Sequence, residues 1–429
     1  MRPPARANAA PQVPAPAADT AGRGAPRPLR VLIVVPWDQE TGGVASVVGN
    51  LAVHLRRGGH TPVFFHPAAE NHGLRKDRTA WGFPGFTAHL RSPSAPAHRL
   101  RSPVAFGVFL PQTLLRLVRV IRAERIDIVN VHYPVDAFVY FAFCRRLPGV
   151  RLVTSIHGSD VFPDGRLGAA PSRLVRRLLA ASDLVVSPSA RYRDAVVDCV
   201  PELAGRAVVV YNGIDVDEFA APPATAPADP PPADFVLCIA GLMPWKGIDV
   251  LLRAFARVAG GHPGLRLVEA GGGPDDVALR QLAEHLGIAD RVDFLGAVPR
   301  ATIIRLLHGC RFLVLPSLAE SFGIAAVEAM ACGRAVVGSA VGGIPEIVTH
   351  GETGLLVPPE DDRALAEAMQ LLLRDPDLAR RFGRAGEVRA RAEFRAEQTG
   401  EAYVAHFIRL VAARNAARAA TRSFPWRHS

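Results

Sequence analysis

Lysine is nearly missing from this chain. Of its 50 basic residues only Lys76 and Lys246 are lysines, so arginine carries almost all the positive charge. Cysteine is scarce as well. Cys144, Cys199, Cys238, Cys310 and Cys332 lie far apart in mostly apolar surroundings, without a Cys-x-x-Cys pair. That pattern excludes a disulfide framework and predicts core residues in a reducing compartment. The 14 histidines form no His-x-x-x-His pair and no cluster with zinc spacing, so no metal site is predicted. No apolar run reaches about eighteen residues, so no spanning helix is predicted. Neither Gly-x-Gly-x-x-Gly nor a P-loop occurs, which argues against a dinucleotide fingerprint or a Walker-type site. Residues 1–28 are Ala/Pro-rich with scattered Arg and have no apolar h-region. They read as a disordered tail rather than a secretion signal.

What is present is core-forming sequence in quantity. The chain has 429 residues, 49% of them hydrophobic, enough for two or three domains. The net charge of +10 is uneven: +12 over residues 1–215, −8 over 216–373 and +6 over 374–429. A basic first half predicts an anionic partner, either an acidic lipid surface or a phosphorylated substrate. Nucleic acid is set aside, because no binding motif accompanies the charge.

Apolar runs alternate with helical patterns along the chain, the signature of an α/β fold with parallel sheets. Residues 30–36 read as a first buried strand, followed by Thr41-Gly42-Gly43-Val44 and a helix from Ala45 to Arg57. Residues 60–65 form a second strand. Residues 66–103 lack periodicity and read as one long loop. Val104 to Arg125 reads as a helix that covers a sheet and turns an arginine face to solvent, in preference to a basic amphipathic helix lying on a membrane. Strands at 126–132, 151–156, 183–189 and 207–215 complete the first series. The strand at 151–156 empties into His157-Gly158-Ser159-Asp160, and ligands of α/β folds bind at such carboxyl ends. A Pro-rich connector, 219–233, marks a boundary. A second series then begins at Phe235, with Lys246 in the Gly-bounded loop Gly241-Leu242-Met243-Pro244-Trp245-Lys246-Gly247. Lysine in a βα loop is placed to meet phosphate as a point charge. Asp375-Pro376-Asp377 has the spacing of a metal-binding Asp-x-Asp but reads as a helix start, with Asp375 as cap. A final helix, Arg-rich on one face, spans 396–420.

The most informative stretch runs from Glu320 to Glu328. It follows the short strand Phe312-Leu313-Val314-Leu315, and Gly323, Ile324, Ala325, Ala326 and Val327 open a helix. Two carboxylates flank a helix N-terminus whose free N–H groups attract phosphate oxygens. A ligand with a diphosphate between two sets of hydroxyls, such as a nucleotide sugar, suits that arrangement.

Residues 30–395 resemble the retaining glycosyltransferase family 4, the group 1 type. The resemblance rests on an ordered set of motifs. They are Thr41–Val44, His157–Asp160, Tyr211-Asn212-Gly213-Ile214-Asp215, Pro244–Gly247, Gly271-Gly272-Gly273-Pro274, Glu320–Glu328, Gly342-Gly343-Ile344-Pro345-Glu346 and Gly351-Glu352-Thr353-Gly354-Leu355-Leu356-Val357. It implies the GT-B architecture: two Rossmann-like βαβ domains facing across a cleft, with a C-terminal helix returning toward the first. The implied division is an acceptor-binding domain at 29–215, a linker at 216–234, a donor-binding domain at 235–395, and a helix and tail at 396–429. The implied donor is a UDP- or GDP-sugar, and the acceptor a saccharide or a lipid-linked one. A cytoplasmic enzyme is expected, with the basic first half fitting peripheral contact with the inner face of a membrane. No cofactor or metal is implied. Lys246 would neutralise the diphosphate, Glu328 would accept from the ribose and Glu320 would contact the transferred sugar. Backbone N–H groups around Phe322, Gly323 and Ile324 would bind sugar or phosphate. Gly43 would let the first domain approach the donor, and His157 would lie near sugar and acceptor. One position departs from the pattern. The family often has Arg where Gly241 stands, so either another Arg substitutes, or Lys246 and the helix end suffice, or the chain is a weak relative. The same architecture also carries nucleotide-sugar epimerases and phosphorylases.

Overall fold

The computed structural model describes residues 27–37, 42–68, 73–92, 101–165, 167–223 and 231–422. Most of the expected N-terminal tail, Thr41, the middle of the Pro-rich connector and the last seven residues lie outside them.

Two parallel sheets organise the chain. The first comprises β1 (Arg30–Val34), β2 (Thr61–Pro67), β3 (Arg75–Arg78), β4 (Pro84–Ala88), β5 (Ile128–His132), β6 (Arg151–Ser155), β7 (Leu184–Ser187) and β8 (Ala207–Val209). Their spatial order is β3-β4-β2-β1-β5-β6-β7-β8, and only β3 is antiparallel to its neighbour. The second comprises β9 (Phe235–Ile239), β10 (Arg266–Ala270), β11 (Val292–Phe294), β12 (Leu313–Leu315), β13 (Val336–Ser339) and β14 (Gly354–Val357), in the order β11-β10-β9-β12-β13-β14. Buried strands need apolar side chains on both faces. β9 shows why its sequence is a continuous apolar run: Val236 and Cys238 enter one core layer, Phe235 and Leu237 the other.

Helices cover both faces. With the first sheet go α1 (Gly43–Arg57), α2 (Arg101–Ala123), α3 (Arg173–Ala181) and α4 (Ala190–Cys199). With the second go α5 (Ile248–Ala259), α6 (Asp276–His285), α7 (Arg300–Gly309), α8 (Ile324–Ala331), α9 (Ile344–Ile347), α10 (Asp362–Arg374) and α11 (Pro376–Glu393). The last helix, α12 (Ala396–Arg422), returns to the first domain. There Tyr403, Phe407 and Val411 join Leu51 and Leu55 of α1 in one core. The Asp375 carboxylate caps α11 by accepting from the Leu378 N–H at 2.8 Å, so the Asp-x-Asp is a helix start.

Three expectations need correction. Residues 66–103 are not one loop, because β3 and β4 extend the sheet there. Pro84 and Gly85 hide the strand pattern of β4. β3 is Arg-Lys-Asp-Arg with every residue exposed, as suits an edge strand protected by charge. The outer face of α2 is also not simply arginine. Leu117, Val120 and Ile121 pack inward, while Val104, Val108 and Leu115 are 67%, 67% and 59% exposed. By length and apolarity the segment Pro103–Ala123 would pass for a membrane span, although its inner face belongs to the domain core. Finally, β8 stops at Val209. The chain then leaves the sheet, and Ile214 pairs with Arg395 at the start of the returning segment.

Candidate active site

Carboxyl-end loops of both sheets line one cavity of about 660 Å³. On the second domain's side stands the loop between β12 and α8. Gly323 caps α8 at φ 109°, a left-handed conformation that side chains disfavour, and this turns the chain sharply into the helix. The first-turn N–H groups of α8 cannot all be satisfied within the helix and concentrate positive potential at the cavity wall. Glu320 precedes this turn. Lys246 follows β9 in a single 3₁₀ turn, and Leu318 and Ala319 donate to the Trp245 carbonyl at 2.9 and 3.2 Å, binding the two loops together. As a result Lys246 Nζ lies 2.6 Å from Glu320 Oε2, with both side chains largely buried.

Glu328 lies one turn into α8, buried, with Arg300 Nη1 3.4 Å from its Oε1. Burial pushes the Glu328 carboxyl up to about 7, against the pull of Arg300 and with a further push from Glu218. Arg300 opens α7 and is gripped by both oxygens of Glu218, at 2.7 and 2.8 Å. It is the one guanidinium in the cavity lining among the described residues. Gly241 is outside that lining, and a Cβ there would meet nothing closer than 3.6 Å, so the backbone does not demand glycine.

The first domain supplies the opposite wall. Gly43, at the start of α1, approaches so closely that a Cβ would lie 2.9 Å from Ile324 Cδ1. His157 follows β6 and is 8% exposed, and burial holds its imidazole down at about 3, neutral across the physiological range. The loop is wrapped around Asp160, whose carboxylate accepts from the His157 N–H at 3.1 and 2.9 Å and the Gly158 N–H at 2.5 Å. Burial nevertheless raises Asp160 to about 7, because those donors offset only part of the desolvation. Tyr133 lines the same wall at φ 52°, with its hydroxyl 2.7 Å from Ser159 Oγ.

The domains also touch. Ser321 Oγ donates to the His157 carbonyl, and Ser189 Oγ donates to the Ser321 carbonyl at 2.7 Å. Glu346 of α9 accepts from the Ala190 and Arg191 N–H groups at the start of α4, at 2.9 and 3.0 Å, and from the Tyr211 hydroxyl at 3.1 Å.

All eight predicted site residues, Gly43, His157, Lys246, Glu320, Phe322, Gly323, Ile324 and Glu328, therefore line one cavity. The sequence reading did not single out Arg300 or Tyr133, and it gave Trp245, Asp160 and Glu346 no role. Arg300 had one usable signal, its place just beyond the carboxyl end of β11. Among the described residues no group of three His, Cys, Asp or Glu side chains is arranged to hold a metal ion.

Comparison with known proteins fits this geometry. Residues 226–389 match the family described as glycosyl transferases group 1, and residues 41–218 match glycosyltransferase family 4. A D-inositol 3-phosphate glycosyltransferase of Segniliparus rotundus is 30% identical over 424 residues, 92% of either chain. That of Streptomyces avermitilis is 32% identical over 280 residues, and the match spans 60% of each protein. Among solved structures, sucrose-phosphate synthase of Thermosynechococcus elongatus superposes with a TM-score of 0.71 at 24% identity, over 90% of this chain and 100% of that one. Anabaena Alr3699/HepE in complex with UDP gives 0.66 at 21%, over 88% and 99%. At such identities these two superpositions speak for the fold alone.

Proposed function

Since the chain belongs to glycosyltransferase family 4, of the group 1 type and GT-B fold, we propose that it transfers a hexose-type sugar with retention from a UDP- or GDP-sugar. The acceptor is a saccharide or lipid-linked saccharide, and the setting is cell-envelope or exopolysaccharide synthesis. The observation that carries this reading is the grouping of Lys246, Glu320, Glu328 and the start of α8 on one wall of the cleft, opposite Gly43 and His157.

The roles follow from charge and reach. The α8 N-terminus and the Lys246 ammonium face the diphosphate and stabilise the charge it gains as the glycosidic bond breaks. In doing so Lys246 exchanges Glu320 for phosphate. Glu320, released from its ion pair, accepts from hydroxyls of the transferred sugar. Glu328 accepts from the ribose, and Arg300 stands beside it on the nucleoside side. His157 reaches the sugar from the first domain. The acceptor attacks from the face the diphosphate leaves, and a leaving phosphate oxygen takes its proton. The chain's own task is positioning and charge stabilisation, so the reaction proceeds without a metal. The basic first domain holds the acceptor, and the outer face of α2 rests on an anionic membrane at its cytoplasmic side.

The test is turnover of a panel of UDP- and GDP-sugars in chelator, with and without saccharide acceptors. Acceptor-dependent release of nucleoside diphosphate with a retained anomer is expected. Conversion of the donor sugar without acceptor would point to epimerisation, and phosphate-dependent product to a phosphorylase. Failure to turn over any donor would overturn the proposal.

A further inference from the structure

The sheet face beneath α12 is apolar at one end and polar at the other. On β5 the residues facing it are Ile128, Asn130 and His132, and on β6 Val153 and Ser155, by the two-residue alternation of strands. Ile128 and Val153 meet the apolar core. Asn130, His132 and Ser155 do not, yet all three have no exposed surface. Burying this many polar groups is costly unless each is hydrogen-bonded. Here they are, in one unbroken line. The Tyr403 hydroxyl of α12 donates to Ser155 Oγ at 3.0 Å, and Ser155 Oγ donates to Asn130 Oδ1 at 2.9 Å. Asn130 Nδ2 lies 2.8 Å from His132 Nε2, and His132 Nδ1 lies 3.1 Å from His157 Nε2.

The donors in that line have a definite order. Asn130 Oδ1 is taken by Ser155, so its amide nitrogen faces His132, and an amide nitrogen only donates. His132 Nε2 must then accept, and the His132 proton sits on Nδ1. That proton is donated to His157 Nε2, which leaves the His157 proton on Nδ1. His157 Nδ1 is buried and has no partner among the described residues. Burial keeps both imidazoles neutral, and at His132 the charge of His157 adds to that effect, so one tautomer of each ring is what the line can select.

We propose that His132, Asn130 and Tyr403 are positioning residues that lock His157 as its Nδ1–H tautomer and keep that N–H unspent, a donor that ligand binding must uncover because the atom is buried in the free protein. The function of the C-terminal helix is then more than tying the domains together, since its Tyr403 anchors the far end of the line. The proposal rests on the reading of His157 as a residue that meets the bound sugar.

The tautomer is read directly from the ¹⁵N ring shifts of His157 in the ligand-free, full-length protein, independently of any sugar transfer. A neutral Nδ1–H pattern is expected. Asn130→Asp presents an acceptor to His132, reverses its tautomer and therefore moves the His157 proton to Nε2. Turnover should fall by about tenfold or more while the donor KM rises by no more than a few fold, because only the His157 hydrogen bond is lost and the diphosphate and ribose contacts remain. Tyr403→Phe should show the same split with a smaller loss. A native His157 protonated on Nε2 overturns the proposal. So does an Asn130→Asp protein whose ring shifts and turnover match the parent. If Asn130→Asp does not fold, the native tautomer and the Tyr403→Phe split decide. Absence of any transfer activity would count against the functional reading, while the ring shifts would still decide the tautomer.

Discussion

At the residue scale the site works by substitution of partners. Lys246 and Glu320 neutralise each other in the free protein, and on the proposed function the donor separates them. Lys246→Ala therefore loses a charge-assisted contact to phosphate and strands Glu320 in a largely buried position. Donor binding should weaken by roughly 2 kcal/mol, about thirtyfold, as measured by calorimetric titration with UDP or GDP. Glu328 adds a pH dependence. Its carboxyl titrates at about 7, above the ordinary range, so below neutrality it is protonated and loses acceptor capacity toward ribose hydroxyls. Nucleoside diphosphate affinity should rise with pH between 6 and 8 and level off above. Glu328→Gln should bind more weakly and lose that slope; an unchanged slope would remove Glu328 from the ribose site. A third group acts on stability alone. Glu269 on β10 is fully buried, neither carboxyl oxygen has a partner among the described residues, and burial pushes it up to about 8. The folded protein thus holds a proton the unfolded chain releases near 4.5, so stability is full in acid and declines as pH rises toward 8. Glu269→Gln should match the parent in melting temperature at pH 5 and exceed it at pH 8.5, by about 2–4 °C for each kcal/mol relieved.

At the element scale the helices show how far the sequence could be read. β1, β5, β9 and β12 were visible because buried parallel strands are unbroken apolar runs. α8 was visible because its small residues follow such a run after one short loop. β3 and β4 were not, since an exposed charged edge and a Pro-Gly start carry no alternation. The outward stripe of α2 was hidden for a different reason. Valine and leucine at helical spacing read as core, and only the packed structure shows that Val104, Val108 and Leu115 lie on the side away from Leu117 and Val120. Arg119 and Arg122 continue the same outer face and are exposed. An apolar stripe ending in arginines suits the surface of an anionic bilayer. Sedimentation with vesicles containing phosphatidylglycerol should show salt-sensitive binding. Replacing Arg119 and Arg122 by Ser should weaken it by about 1 kcal/mol per residue. Equal binding to neutral vesicles would contradict that role for α2.

At the scale of the whole molecule eight residues of the cavity lining were legible, while Arg300, Tyr133 and the mutual arrangement of the set were not. Strand-end loops could be identified one at a time, but no sequence pattern records that Gly43 meets Ile324 or that Glu346 receives the start of α4. Those contacts join residues of different domains through the fold alone. They predict that the closed cleft is held partly by Glu346. Glu346→Ala should open the domains, visible as a larger radius of gyration in solution scattering, and should weaken donor binding without touching the donor. The departure at Gly241 is tested at this scale too, because the cleft has one lysine and one guanidinium in its lining among the described residues. Gly241→Arg places a guanidinium in the loop leading to Lys246, where the backbone accepts a side chain, and should tighten UDP or GDP binding by a few fold.

On the proposed function, one cleft binds a nucleotide sugar through Lys246, the start of α8 and Glu328. Calorimetric titration of UDP and GDP into the parent, Lys246→Ala and Glu328→Ala proteins tests it most directly. Saturable 1:1 binding of one nucleotide to the parent, weakened by at least about tenfold in each variant, is the predicted result. Parent protein that binds neither nucleotide, or variants that bind as tightly as the parent, would contradict it.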